Sequence, residues 1–238
     1  MAKDSSKAGS GNQPAPTKNR YHHGNLRESL LDAALAYLKT DTLDNLSLRS
    51  LAKTVGVSAT AVYSHFADKT DLLIDLRTLG FRLLTEHLTR ALEAQPDSSG
   101  EIKVRLLGHA YMSFAAENPN LFDNLFSWAP ERERIKSECI EAGIDSVDLL
   151  RNAILQLFRD NNLPTGDYQS SVATLSAWSL VHGLTMLIKT GSIEGAVYCG
   201  HWPDTFSAAH PKAQERAFDH LLTIEIEGLK AAVAKLTP

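Results

Sequence analysis

Apolar residues recur along most of this chain at the three- and four-residue spacing that lines one face of a helix, so the pattern predicts an all-α fold. Leu26, Leu30, Ala33, Ala34 and Tyr37 trace a first helix, with Asn25 as its cap and Glu28 three positions on. Leu48, Leu51, Ala52 and Val55 trace a short second one that opens at Ser47. Gly56 ends it, because a tight turn between helices needs a left-handed residue, and Val57 plugs the corner. A third helix starts at Ser58 with Val62 and Phe66 inward, and a long one runs from Asp71 through Leu72, Leu76, Leu79, Leu83 and Leu84 to Gln95-Pro96. After a loop over 96–100, helical spacing returns from Ile102 to Glu117 and is ended by Asn118-Pro119. A dense apolar segment over 120–128 follows. The charged run Glu131-Arg132-Glu133-Arg134 then opens a helical region to Asn162, with Gly143 as a point of interruption. Residues 168–190 form a strongly apolar helix in which Gly183 permits close helix approach. Residues 191–211 read as a long irregular connection. On the last helix, 212–236, Phe218, Leu221, Leu222, Ile224, Ile226 and Leu229 spread over more than one side, which suits burial against a second subunit as well as its own domain.

The third helix has an unusual outer face. With Val62 and Phe66 inward and successive residues about 100° apart, Thr60 and Ser64 point away from the core, flanked by Ala61, Tyr63 and His65. This face is small, uncharged and rich in hydrogen-bonding groups, which suits a helix that enters a DNA major groove. A plain helical hairpin has the same periodicity. Asp68 can cap the next helix, placing Lys69 at its start, where a phosphate is favoured.

The wording of the run LRSLAKTVGVSATAVYSHFADKTDLL resembles the DNA-binding domain of the tetracycline-repressor (TetR) family of bacterial transcription regulators. It shares a Leu-Ala pair, Gly-Val-Ser, Val-Tyr, Phe, Lys and Leu-Leu, and the likeness covers about residues 24–84. The resemblance implies that Ser58, Ala59, Thr60, Ala61, Ser64 and His65 approach bases or phosphates, that Tyr63 and Lys69 hold phosphates, and that Arg49, with Ser47 beside it, reaches in from the preceding helix. It implies a three-helix helix-turn-helix domain joined by a connecting helix to a helical ligand-binding and dimerisation domain. The expected division is an N-terminal arm, 1–20, the DNA-binding domain with the start of the connecting helix, 21–84, and the effector and dimer domain, 85–238. The glycine usual after the first helix is replaced within Lys39-Thr40-Asp41-Thr42, a change at a helix terminus rather than on the outward face.

Charge changes the picture only once it is divided. The net charge is −4, yet residues 1–78 hold ten basic against eight acidic side chains and residues 79–238 fourteen against twenty, so the weakly basic part carries the candidate DNA motif. Residues 1–17 read as a disordered arm leading into Lys18-Asn19-Arg20-Tyr21-His22-His23, which either tracks phosphates or is a soluble tail. With 43% hydrophobic and 22% charged residues the composition is that of an ordinary globular protein. No run approaches the roughly 18–20 uninterrupted apolar residues of a membrane span, and the first residues lack the apolar core of a secretory signal, so a cytoplasmic address without a membrane partner is expected. Cys139 and Cys199 form no metal or redox motif and read as apolar fillers.

In the C-terminal half Trp178 and His182 share a face, and Trp178-x-x-x-His182-Gly183 resembles a C-terminal domain (the WHG type) in one branch of the same family, with Tyr111 and Asn118-Pro119 before it. Tyr111, Phe114, Phe122, Phe126, Trp128, Trp178, His182 and Met186 are the ligand-facing candidates; packed core aromatics and a satisfied core histidine are the competing reading. The resulting expectation is a homodimeric repressor on a palindromic double-stranded operator, released by a small-molecule effector. No cofactor, metal or catalytic residue is expected, since no phosphate loop, nucleophile elbow or metal-spaced cluster is present. The alternatives are a helical adaptor or a small-molecule enzyme carrying a vestigial DNA-binding domain.

Overall fold

A computed structural model describes residues 26–237. The N-terminal arm, the basic run before the first helix and the Asn25 cap lie outside the described residues. Within them the chain is helical without a strand.

The N-terminal unit is α1 (Leu26–Leu38), α2 (Leu48–Val55) and α3 (Ala59–Tyr63), which close over the first turns of α4 (Lys69–Glu93). Leu30, Ala34, Leu51, Val62, Phe66 and Leu72 are almost wholly removed from solvent at its centre. The missing glycine after α1 is replaced by hydrogen bonding. Asp41 accepts from Tyr37 Oη (2.8 Å), Asn45 Nδ2 (2.9 Å) and the Thr42 amide (2.7 Å), fixing the turn through a side chain instead of a left-handed residue. These bonds, that from Asn45 foremost, hold the Asp41 carboxyl below the usual carboxylate range.

The C-terminal unit packs α4 against α5 (Gly100–Glu117), α6 (Pro119–Phe126) and α7 (Ser137–Asp160), with α8 (Asp167–Lys189) laid on α5 and α7 and α10 (Pro211–Ala232) on α5 and α8. At Gly100 the start of α5 touches the backbone of α7, where an added Cβ would stand 2.0 Å from Leu157 N. The Asp160 carboxylate accepts from the Gly100 amide at 2.7 Å, fastening the same crossing.

Several elements differ from the sequence reading. The run Glu131–Arg134 does not open a long helix: a single 3-10 turn, Arg132–Arg134, stands apart from α7, which continues through Gly143 without a break because only a Phe81 ring edge lies near that Cα. The 191–211 connection is not irregular throughout; α9 (Ser192–Tyr198) and a 3-10 turn, Asp204–Phe206, occupy it. Gly191 and Gly200, both at φ 71°, bracket α9 rather than break it. Gly183 makes no close helix contact within the chain, since nothing lies within 4 Å of an added Cβ. Helix α8 is long and apolar enough to span a bilayer by length and composition, with mean hydropathy 1.4, yet four serines, two threonines and His182 interrupt it, so it holds no uninterrupted apolar run of that length. Only 28% of its most apolar stretch is buried, and Leu175 and Leu187 lie on its outer side.

Candidate nucleic-acid interface and internal cavity

Helix α2 begins where Ser47 Oγ accepts from the Ser50 amide (3.1 Å) and ends at Gly56, φ 77° and ψ 31°, while the Val57 amide donates back to Ala52 O (2.9 Å). Ser58 caps α3 by accepting from the Ala61 amide (3.1 Å). The helix is shorter than its apolar spacing predicts, five residues; Phe66 follows in a further loose turn, its amide donating to Val62 O at 3.0 Å.

The expected sidedness is present. Val62 and Phe66 have no exposed surface, whereas Ser58, Ala59, Thr60, Tyr63, Ser64 and His65 are exposed and Ala61 is half-buried. Ser64 Oγ donates to Ala61 O (2.7 Å), so its oxygen keeps accepting capacity toward solvent. Arg49 is exposed next to this face, and among the described residues no carboxylate pairs with it. Lys69, expected to hold a phosphate, donates from Nζ to Leu43 O (2.5 Å) and Asp44 O (3.0 Å) of the α1–α2 loop, next to the start of α4.

Charged residues not singled out by the sequence hold this head in place. Arg27 donates to His65 O (3.0 Å), stacks over the Phe66 ring at 4.8 Å and pairs with Asp75. Arg134, read from sequence as part of a solvated face, pairs with Asp68 (2.7 Å) and Asp71 (2.6 Å) at the cap of α4. Lys136 reaches Asp75 at 2.5 Å. The segment between α6 and α7 is thereby clasped to the base of the DNA-reading head.

Behind the clasp lies a cavity of about 430 Å³, walled by α4, α5, α7, α8 and α10 and by the end of α6. Of the expected ligand-facing residues, Tyr111, Phe126 and Trp178 line it. Phe114 instead lines a second cleft of about 370 Å³ beside α1, and Phe122 is fully buried core. Trp128, Met186 and His182 are not on the cavity wall. His182 stands behind Tyr111, whose Oη lies 2.8 Å from its Nδ1, and stacks on Phe122. Burial pushes the Tyr111 hydroxyl up and the His182 imidazole down, so the two meet as neutral groups. Half-buried and braced in this way, His182 has the contacts of a packed histidine. The lining residues missed from sequence are Phe81, Leu84 and Leu88 on α4 and Ile140, Ile144 and Val147 on α7. A fourfold-spaced apolar row on α7, Cys139, Gly143 and Val147, was the available signal.

A capped helix pair with a small uncharged outer face, carried on a helix that also walls an internal cavity, defines a helix-turn-helix regulator. Residues 30–76 match the family of bacterial regulatory proteins called the tetR family, and residues 104–199 match the tetracyclin repressor-like C-terminal domain. The chain belongs to the TetR family and is a DNA-binding transcription regulator. It is 25% identical over 172 residues to the uncharacterized HTH-type transcriptional regulator YobS of Bacillus subtilis, covering 72% of this chain and 83% of that one. Among solved structures, a protein of unknown function from Rhodococcus sp. RHA1 superposes with a TM-score of 0.67 at 30% identity, covering 91% of this chain and all of the other. A TetR structure from Acinetobacter baumannii in complex with minocycline shares the fold, with a TM-score of 0.57 at 16% identity over 89% of this chain and 96% of its own.

Proposed function

We propose that this regulator is a homodimeric repressor that reads a palindromic operator and is released by a small molecule held in the 430 Å³ cavity. The observation carrying the reading is that α4 belongs to both sites: its first turns close the core under α3, and Arg77, Phe81, Leu84 and Leu88 further along it wall the cavity. A ligand that fits one inclination of α4 better than another biases the separation of two DNA-reading heads, and only such differential affinity moves the equilibrium. Thr60, Ser64 and His65 with Arg49 would face base edges, Tyr63 would meet phosphate, and Ser47 and Ser58 would contribute chiefly as caps that set the angle of α2 and α3. Ala59 and Ala61 keep the approach slim.

The second subunit is assigned to the outer faces of α8 and α10. Leu175 and Leu187 on α8 and Ile224 on α10 are exposed, with Ile224 at 70%, and Gly183 and Gly228 have open space where another helix could approach. Covering this surface with a second copy removes apolar area from water and supplies the two-fold axis that a pair of half-sites requires. The Trp178-x-x-x-His182-Gly183 run supports a reading in the WHG-type branch, its role being the Tyr111–His182 brace and the open glycine on the dimer face. A cytoplasmic address follows from the DNA partner.

Selection of bound duplexes from a random pool by the full-length protein tests this. Recovery of two inverted half-sites about one helical turn apart supports it; a single asymmetric site, or no enrichment, contradicts it.

A further inference from the structure

The cavity wall is aliphatic and aromatic except at a few positions, and most of those polar groups are already engaged. Tyr111 is committed to His182, and Ser146 Oγ donates to Gly143 O at 2.8 Å. Arg77 is different. Its Nη1 donates to Trp128 O at 2.8 Å and its Cζ lies 5.6 Å from the Phe81 ring centroid, but among the described residues no carboxylate pairs with it. A guanidinium has five N–H donors and cannot relieve its burial by losing a proton, so it is satisfied only by acceptors, and best by an anion. Burial pushes its pKa down. From Arg77 the wall residues Phe81, Leu84 and Leu88 follow along α4 at helical spacing, an apolar track of about 16 Å.

Building on the effector reading above, we infer that the cavity takes an amphipathic organic anion, its carboxylate on Arg77 and its apolar body along the α4 track. The opposite chemistry has one candidate contact, Glu225, whose Oε1 is buried on the cavity wall with no hydrogen-bond partner. Glu225 offers a single orphan oxygen, whereas Arg77 presents a fork of several N–H donors with one carbonyl to receive them, so the guanidinium is the stronger demand. The assignment also connects to the clasp. The carbonyl that Arg77 holds belongs to Trp128, at the start of the segment carrying Arg134 and Lys136, so an anion competing for the guanidinium loosens the segment that grips the DNA-reading head.

The test uses the full-length protein and three straight-chain probes of equal length, decanoate, decanol and decylamine, each below its aggregation threshold, with binding followed by calorimetry. Decanoate should bind about tenfold more tightly than decanol. Arg77→Gln should bring the two within about twofold while leaving decanol unchanged, and Arg77→Lys should keep part of the preference. The wild-type order of the probes is decisive even where a variant does not fold. Equal binding of decanoate and decanol overturns the anion assignment and leaves the cavity reading standing, as does a preference for decylamine that Glu225→Gln removes. If none of the three binds, or if Val147→Trp, which fills the cavity, leaves their binding untouched, the effector-cavity reading fails as well.

Discussion

Lys136 Nζ lies 2.5 Å from Asp75 Oδ1, and the other oxygen of the same carboxylate takes Arg27. One aspartate on α4, only 12% exposed, therefore joins the entrance to α7 with the helix that braces the recognition segment. Arg134 on Asp68 and Asp71 doubles the connection one turn earlier on α4.

Removing that connection should change mobility more than stability. Exposed and half-exposed ion pairs contribute at most about 1 kcal/mol each, so Lys136→Met with Arg134→Met, which removes three, should lower Tm by no more than roughly 12 °C. Amide exchange in α1–α3 should quicken about fivefold while α5 and α8 are unchanged. Uniform quickening across the chain would show that the pairs hold the whole fold instead.

Thr, Ser and Ala on the outer face of α3 leave few groups able to make paired contacts with a base, so Arg49 should carry a large share of discrimination. Arg49→Ala should cost about 1–3 kcal/mol of preference for the selected operator over a mismatched one, read by competition binding. Unchanged selectivity would remove Arg49 from the reading surface.

At Gly100 an added Cβ meets backbone rather than a flexible side chain, so the two helices must part. Gly100→Ala should cost about 3 kcal/mol and lower Tm by roughly 6–12 °C. Gly56→Ala, strained by its positive φ but with nothing within 4 Å, should cost only about 1 kcal/mol. Thermal melting of both variants checks the order.

Asp68 is held below the usual carboxylate value of 3.8 by Arg134, then by the Asp71 amide. Because the folded pKa is the lower one, its charge contributes stability fully above about pH 4 and loses it as pH falls through the depressed value. Asp68→Asn retains a capping side chain and removes the charge. Urea midpoints should therefore separate wild type from this variant near neutrality and converge in acid; a gap independent of pH would mean that the cap alone matters.

How much was readable in advance depended on how local each determinant is. Gly56, the Ser47 and Ser58 caps and the inward pair Val62 and Phe66 act within a few residues, and their geometry follows from spacing. The contacts of Arg134, Lys136 and Arg27 do not, because each partner lies tens of residues away and an exposed charge run looks the same in sequence whether solvated or paired. The contacts of Lys69 were illegible for a similar reason: the two carbonyls it meets belong to a loop whose position depends on tertiary packing. Cavity residues come from six helices, and packed aromatics such as Phe122 share the spacing of lining ones such as Phe126. Glycines in the 191–211 stretch suggested irregularity, although Gly191 and Gly200 stand at the ends of a helix and Gly195 lies within it.

The most direct test of the outward face of α3 is the operator affinity of Thr60→Glu. A carboxylate in the first turn of a helix slightly favours folding, so the variant should melt no lower than wild type. Set against phosphates and base acceptors, the same carboxylate should weaken operator binding by about tenfold or more at fixed salt. Unchanged affinity in a folded Thr60→Glu protein would show that this face does not touch DNA.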